Sequence, residues 1–232
     1  MGEIHLVRHG QASFGEPEYD RLSGTGILQS RRLGRWWHSN GIRFDAVYSG
    51  ERERQKDTAT LALQETGMAD AAQRLKINPA FNELDADRLL RHAMPHMILR
   101  EPQLAAMVMD LKAHRAQFRD VFARIVDDWI AGRWPDAGIG SWQEFSGRVH
   151  AGLEAIARTH GAGRKVAVFT SGGPITVLLQ KLGAAPADRL DWNIANTSVT
   201  RLTYDDDGNF RVHEIRTLPH LTPADNDLVT HI

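Results

Sequence analysis

The sequence predicts an α/β fold, a three-layer sandwich in which helices cover a central, mostly parallel sheet. Three observations predict it. The chain has 232 residues, enough for one large domain with a buried core. Short apolar runs typical of strands alternate with longer runs of helical periodicity. Two apolar runs end in unusual polar groups, Arg8-His9-Gly10 and Ser171-Gly172-Gly173. We therefore expect a single domain over residues 1–232.

The first part of the chain predicts a strand, helix, strand and helix in that order. Residues 3–7 form a short apolar strand, and the loop of residues 9–22 that follows is polar. Ser23 or Thr25 can cap the first helix, because a hydroxyl oxygen accepts a hydrogen bond from the first free amides of a helix. The other predicted elements are a strand at residues 44–48 and a helix that begins at residues 49–51 and ends by Gly67.

Residues 87–134 predict a helical insertion that covers one side of the sheet. Apolar residues recur there at three-and-four spacing, as they do on the buried face of a helix. We expect breaks near Pro95 and Pro102, because proline has no amide N–H to donate within a helix. Residues 75–84, just before the insertion, contain a proline and are expected to form an edge strand or a loop.

The last part of the chain contains the clearest buried strand, at residues 165–169. Pro174 suits the first position of the helix that follows and is expected to run through Leu182. Ahead of the strand, Ser141 and Glu144 have the spacing of a capping box at a helix start. The remaining predictions are a hairpin of strands at residues 196–204 and 210–215 about a turn at 205–209, and a coil after Pro219.

Composition excludes several classes of protein. The chain has no cysteine, so disulfides, thiolate metal sites and cysteine nucleophiles are excluded. Its formal net charge is −1, which gives no general attraction to nucleic acid or to an acidic membrane. No signal peptide and no membrane-length apolar run are visible. We expect a cytoplasmic protein without nucleic-acid or membrane partners, and nothing in the sequence suggests a metal or an organic cofactor.

The two polar strand ends predict an anion site beside an imidazole. Ligands of such sheets bind outside the carboxyl ends of the strands. Gly172 and Gly173 precede a helix, whose free amides and partial positive charge favour an anion. Arg8 can grip the same anion with its planar fork of N–H groups. His9 beside it is a competent nucleophile when one ring nitrogen is held as N–H and the other is free.

These motifs, in this order, resemble those of the histidine phosphatase superfamily, which has a phosphoglycerate mutase-like fold. The segment of residues 48–59 resembles the family's second motif, and on that match Arg54 is a second phosphate clamp. The resemblance implies that His9 becomes phosphorylated and that Glu83 protonates the leaving oxygen. In the loop after His9, Gln11 and Ser13 either line the phosphate pocket or are ordinary solvated side chains.

Two departures from the family pattern affect the expected activity. Members usually carry a second histidine, a charged donor to the phosphoryl group, where this chain has Ser171. Loss of such a donor costs roughly 10²–10³ in rate. A distant histidine can replace this donor only if the fold brings it to the site. The candidates in the sequence are His92, His96, His213, His220 and His231. Residues 11–15 also differ from the sequence that follows the histidine in mutases, which makes hydrolysis the better prediction.

Several residue roles have local alternatives. Arg52 is the rival of Arg54 as the second clamp, and Asp85 and Asp87 are rivals of Glu83 as the acid. Ser171 is either a phosphate ligand, with Gly172, or a simple helix cap.

The sequence thus predicts a metal-independent phosphomonoester hydrolase that uses a phosphohistidine and acts, with low activity, on a phosphorylated small molecule. The alternatives are a catalytically impaired protein that binds phosphorylated ligands or phosphate and, third, a phosphoglycerate mutase. Oligomeric state stays open.

Overall fold

A six-stranded sheet forms the centre of the computed structural model, which describes residues 1–13, 16, 18–67, 72–111, 113–186, 190 and 194–231. The strand order is β3-β2-β4-β1-β5-β6. The first four strands of that order pair in parallel, and the last two pair antiparallel to their neighbours. The predicted α/β class and mostly parallel sheet are therefore confirmed. The strands are β1 (Gly2–Arg8), β2 (Ala46–Ser49), β3 (Leu75–Ile77), β4 (Lys165–Thr170), β5 (Val199–Tyr204) and β6 (Phe210–Thr217).

Helices cover both faces of the sheet. The α-helices are α1 (Gly24–Ser39), α2 (Glu53–Glu65), α3 (Ala86–Arg100), α4 (Leu104–Met109), α5 (Arg115–Ile130), α6 (Trp142–His160) and α7 (Gly172–Lys181). Helices α1 and α2 pack on one face around the fully buried Trp37. The other face carries the remaining helices, including the predicted insertion. Within the described ranges, we find no helix with the length and apolar character needed to cross a bilayer.

Helix caps follow the local sequence. Ser23 caps α1, and its side chain accepts a hydrogen bond from the Gly26 amide at 3.1 Å. Ser141 and Glu144 form the predicted capping box at the start of α6. Such a cap contributes about 1 kcal/mol to stability. Both predictions of helix starts are confirmed.

Four predicted boundaries are wrong. Pro95 lies inside α3 and does not break it, because Pro95 and Arg91, whose carbonyl loses its helical donor, are both exposed to solvent. The break occurs near Pro102 instead, as also predicted. Pro174 is the third residue of α7, where the N–H that it lacks has no helical acceptor in any case. The second helix begins at Glu53, and the tail contains a short 3₁₀ helix, Pro223–Leu228.

Parallel register brings three strand ends to one edge of the sheet. Arg8 at the end of β1 is level with Thr170 at the end of β4. Ser49 at the end of β2 is level with Phe169 on the other side of β4. The segments after β1, β2 and β4 therefore leave the sheet side by side, with β4 inserted between the two earlier strands. This edge is where ligands of parallel sheets bind.

Candidate active site

His9 lies at the centre of that edge and is nearly fully buried, with 5% of its surface exposed. Its backbone N–H donates to the Thr170 carbonyl at 2.9 Å, which extends the pairing of β1 with β4 by one residue. Its carbonyl accepts from the Asn196 side-chain amide at 3.0 Å. Both ends of the residue are thus fixed by the sheet and by the segment before β5.

Two neighbours fix the protonation of the His9 ring. Nδ1 lies 2.7 Å from the Gly10 carbonyl oxygen, which only accepts hydrogen bonds, so Nδ1 carries the proton. Nε2 lies 3.1 Å from Nε of Arg54, which only donates, so Nε2 presents its lone pair. The ring is therefore a neutral imidazole whose unprotonated nitrogen points toward a guanidinium.

The same surroundings lower the pKa of His9 well below its ordinary value. Burial is the largest cause, and the positive charges of Arg54 and Arg8 act in the same direction. The hydrogen bond to the Gly10 carbonyl opposes them. The imidazole consequently stays neutral, which is the form that a nucleophile requires.

Arg54 is held in place by the loop that follows β1. Its Nη1 donates to Oδ1 of Asp20 at 2.5 Å, and the other oxygen of Asp20 accepts from the Glu53 amide at 2.9 Å. Arg54 is buried, and Thr58, one helical turn later, accepts from the Gly10 amide at 2.9 Å. The first two turns of α2 therefore position both the guanidinium and the loop that carries the imidazole.

Arg8 is the second cation beside His9. One of its terminal nitrogens donates to the Ile194 carbonyl. Its Nε is buried and has no hydrogen-bond partner in the part of the chain that the structure describes. Burial is the largest cause that lowers the pKa of Arg8 to about 10, the carboxylate charge of Glu83 opposes it, and the side chain stays charged at neutral pH. A half-buried guanidinium whose buried Nε has an unused hydrogen fits an anion.

The end of β4 is built from neutral groups. Ser171 occupies the position before α7, but its side chain makes no capping hydrogen bond. Its Oγ accepts instead from Nε2 of Gln55 at 2.8 Å, and both residues are buried. The interpretation of Ser171 as a helix cap is therefore wrong for its side chain, because the hydroxyl faces α2 and not the first turn of α7.

Glu83 lies at the N-terminus of α7. Its carboxylate accepts from the Gly173 amide at 3.0 Å and from the Leu84 amide at 2.9 Å. A Cβ at position 173 would stand 2.2 Å from the carboxylate, so only glycine permits this approach. The charge of Glu83 also acts on Arg8. The helix end that the sequence predicted as a phosphate site thus holds the carboxylate that the resemblance implies as the acid.

A cleft of about 590 Å³ opens beside Glu83. Glu83 and its rival Asp85 both line the cleft, but Asp85 also caps α3, and Asp87 lies in the first turn of that helix. The charged residues that line the cleft are mainly acidic. They are Asp20, Glu51, Arg52, Glu83, Asp85, Glu144 and Arg148. Arg148 is committed to backbone carbonyls, and Arg52 stands 3.9 Å from Asp85.

The remaining predicted phosphate ligands lie around this centre. Gln11 is tied to the start of α1, where its Oε1 accepts from the Ser23 hydroxyl at 2.8 Å. Ser13 lines a separate depression with Ser23 and is joined to the loop through its backbone N–H. Gly172 is the first residue of α7, and a Cβ there would meet nothing within 4 Å.

None of the five candidate histidines is hydrogen-bonded to His9 or Ser171 in the described ranges. His92 and His96 pack against Trp134, and His213 contacts Thr203 on the hairpin. His231 is exposed near the end of the chain. His220 is linked to the site through Thr197. The Thr197 hydroxyl is hydrogen-bonded to the His220 ring at 2.9 Å, and the Thr197 backbone N–H donates to the Arg8 carbonyl at 3.0 Å. The hydrogen-bond partner of the Ser171 hydroxyl in the described ranges is therefore Gln55 and not one of these imidazoles.

Sequence reasoning missed three residues of this centre: Asp20, Gln55 and Thr58. Thr58 had a usable signal, because it follows Arg54 by four residues and so shares its helix face. Asp20 had none, since its contact with Arg54 depends on the path of the loop. Gln55 had none either, since its partner lies 116 residues later in the chain.

Among the described residues, no three histidine or acidic side chains are grouped as a metal site requires.

Known proteins resemble this chain in fold and, over a shorter stretch, in sequence. A phosphoglycerate mutase from Bacillus anthracis superposes with a TM-score of 0.64 at 20% identity over 94% of both chains. A mycobacterial glucosyl-3-phosphoglycerate phosphatase superposes with a TM-score of 0.57 at 18% identity over 91% of this chain and 96% of the other. At these identities, the likeness shows the phosphoglycerate mutase-like fold.

The sequence relatives match only part of the chain. A 2,3-bisphosphoglycerate-dependent phosphoglycerate mutase from Methylorubrum populi is 35% identical over 89 residues, 34% of this chain and 40% of that protein. The family model for branch 1 of the histidine phosphatase superfamily matches residues 4–127 and 95–216, which together include His9, Arg54, Glu83 and Ser171. On this match the chain belongs to the histidine phosphatase superfamily, whose members include both phosphatases and mutases.

Proposed function

We propose that this protein is a metal-independent phosphomonoester hydrolase that works through a phosphohistidine at His9. The observation that carries the proposal is the state of the imidazole. Its Nδ1 proton is committed to the Gly10 carbonyl at 2.7 Å, and its Nε2 lone pair faces Arg54 in a buried pocket that keeps the ring neutral. A nucleophile for phosphorus needs a neutral ring of this tautomer and a cation at the phosphoryl oxygens. The Arg54 N–H that binds Nε2 turns to one of these oxygens as Nε2 attacks.

The reaction then follows from the positions of the charged groups. Nε2 of His9 attacks phosphorus, a P–N bond forms, and the P–O bond to the leaving group breaks. Arg8 and Arg54 neutralise the phosphoryl oxygens, with the unused Nε of Arg8 as one donor. Glu83 gives a proton to the leaving oxygen, and the adjoining cleft accommodates the leaving group. In the second step the Glu83 carboxylate takes a proton from water, whose oxygen attacks phosphorus. The P–N bond breaks, its electron pair returns to Nε2 of His9, and phosphate is released.

Ser171 motivates a second function, a protein that binds phosphorylated ligands without useful turnover. Its hydroxyl is neutral, and a neutral donor stabilises the charge of a transferring phosphoryl group less than an imidazolium does. Phosphoglycerate mutase activity is the third choice. The named relatives support it, but the cleft beside Glu83 is lined by more carboxylates than cations, which disfavours a leaving group that carries its own carboxylate.

The test is hydrolysis of p-nitrophenyl phosphate by the purified protein with a chelator present. We expect turnover that survives the chelator and falls by more than roughly 10³-fold in His9→Ala, because the variant lacks the covalent nucleophile. His213→Ala, which removes an imidazole from the distant β6, is the control and is expected to keep wild-type turnover. Rapid quenching with labelled substrate is expected to trap an acid-labile phosphohistidine in the wild type and in His213→Ala but not in His9→Ala.

Other outcomes reassign the function. Phosphate binding without turnover on a panel of phosphate esters would favour the binding protein. Conversion of 3-phosphoglycerate to its isomer, dependent on His9, would favour the mutase. Turnover that His9→Ala retains would contradict all three readings of the site.

A further inference from the structure

We propose that Gln55 is a positioning residue that holds the Ser171 hydroxyl as a hydrogen-bond donor to the phosphoryl group at His9. The inference rests on the proposed function and assigns a role to a side chain outside the clamp and the nucleophile. It starts from one contact, the 2.8 Å hydrogen bond from Nε2 of Gln55 to Oγ of Ser171.

A backbone carbonyl fixes the orientation of the Gln55 amide. Nε2 also lies 3.2 Å from the Phe81 carbonyl oxygen, which only accepts hydrogen bonds. The nitrogen therefore faces Phe81, and its second hydrogen is the one that reaches Ser171. The opposite orientation would set the amide oxygen against a carbonyl oxygen. Ser171 thus accepts from Gln55, and its own proton points elsewhere.

That proton is available to a ligand. Among the described residues, no acceptor is hydrogen-bonded to the Ser171 hydroxyl, and its side chain does not cap α7. Ser171 directly follows Thr170, which is level with Arg8 in the parallel pair and whose carbonyl binds the His9 amide. Ser171 therefore leaves the sheet level with His9. Because the Gln55 donor polarises the oxygen that it reaches, the hydroxyl becomes a stronger donor in turn.

The buried amide oxygen of Gln55 is energetically unfavourable, which indicates that the amide nitrogen of this side chain has a role. Gln55 has no exposed surface, and its Oε1 is buried without a hydrogen-bond partner in the described ranges. Buried unpaired acceptors are rare because nothing replaces the lost water. Room for Oε1 exists only because residue 50 is glycine, since a Cβ there would stand 2.1 Å from it. An apolar side chain would fill the space without the unpaired oxygen, so we assign the role to the donor end.

The experiment measures the affinity for inorganic phosphate by calorimetry, alongside kcat and KM for p-nitrophenyl phosphate. The variants are Ser171→Ala, Gln55→Met and the double variant, with circular dichroism to check folding. Gln55→Leu replaces Gln55→Met if the latter does not fold. Thr170→Val is the matched control, because the Thr170 hydroxyl donates to the same Phe81 carbonyl at 2.7 Å and does not touch Ser171.

We expect Ser171→Ala and Gln55→Met each to weaken phosphate binding about tenfold, the usual effect of one hydrogen bond to a charged group. The double variant is expected to be no weaker than Ser171→Ala, because Gln55 acts through Ser171. The same pattern is expected in kcat, with KM changed less. Thr170→Val is expected to keep wild-type phosphate affinity.

Three results would overturn the inference: unchanged affinity in Gln55→Met, losses that multiply in the double variant, or an equal loss in Thr170→Val. A wild-type protein that binds phosphate but has no turnover would refute the proposed hydrolase. The phosphate affinities of the variants would still test the role of Gln55. A wild-type protein that binds no phosphate would refute both.

Discussion

The ends of β1 and β4 are neighbours in the sheet but differ in chemistry. The end of β1 carries a buried imidazole and a half-buried guanidinium, and α2 adds a second, buried guanidinium 3.1 Å from the ring. The end of β4 carries a neutral hydroxyl and a backbone amide, which bind Gln55 and Glu83. The positive charge of the site therefore comes from one side, and the other side supplies neutral donors and the carboxylate.

This difference suggests a division of labour. Charged donors bind an anion strongly wherever they can reach it, whereas neutral donors act only when they are aimed at it. The β1 side is expected to provide most of the affinity for phosphate and the nucleophile. The β4 side is expected to provide orientation and the proton for the leaving group. Substitutions on the two sides should therefore affect different steps.

The largest expected effect after loss of His9 comes from the β1 side. We expect Arg54→Met to lower kcat/KM for p-nitrophenyl phosphate by roughly 10²–10³, since it removes a buried donor to the transferring phosphoryl group. Arg52→Met is the matched comparison, because Arg52 is two residues earlier and its guanidinium forms an ion pair with Asp85 at 3.9 Å. We expect kcat/KM of Arg52→Met to fall less than about threefold, the effect of losing a surface ion pair. Equal losses would make Arg52 part of the clamp.

A smaller effect is expected when the acid on the β4 side is displaced. Gly173→Ala places a methyl group 2.2 Å from the Glu83 carboxylate and must move it. We expect kcat for an alkyl phosphate to fall about 10²-fold, and kcat for p-nitrophenyl phosphate much less, since nitrophenolate leaves without a proton. Gly172→Ala meets nothing within 4 Å and keeps its N–H, so it is expected to lose far less. An equal loss on both substrates would argue against Glu83 as the acid.

The smallest expected effect concerns pH and sharpens the contrast between the two sides. An imidazole with an ordinary pKa of about 6.5 would be roughly 90% protonated at pH 5.5, and kcat/KM would fall about tenfold. Because burial and two guanidiniums lower the pKa of His9, we expect kcat/KM, corrected for substrate ionisation, to change less than about threefold between pH 7 and 5.5. A fall of kcat/KM with a midpoint near pH 6.5 would contradict a lowered pKa of His9.

The same shift has a consequence for stability. Since the folded-state pKa of His9 is below the unfolded value, the unfolded chain binds the proton first as pH falls. The contribution of the neutral ring to stability is thus complete above pH 6.5 and decreases below it. His220, whose pKa burial lowers to about 4, acts in the same direction and loses its contribution between pH 6.5 and 4.

Predictions from local sequence were accurate where one segment contained the whole signal. The Ser141–Glu144 box and the Ser23 cap each span four residues, and both occur in the structure. The strand that ends at Arg8 is a short run that is apolar on both sides of His5. The predicted helix break at Pro95 was wrong, because the energetic cost of a proline depends on whether solvent reaches the carbonyl that loses its donor. The packing of the helix decides this exposure.

The sequence by itself determined which groups this protein has available: an arginine and a histidine at the end of the first strand, a second arginine in the second helix, and two glycines at the start of α7. Only the tertiary structure decided how they are used. Glu83 reaches Gly173 across 90 residues, and Gln55 reaches Ser171 across 116. Such contacts depend on β4 lying between β1 and β2 in the sheet. Periodicity and capping report on neighbours along the chain, whereas strand order brings distant residues together and is set by the packing of the whole core.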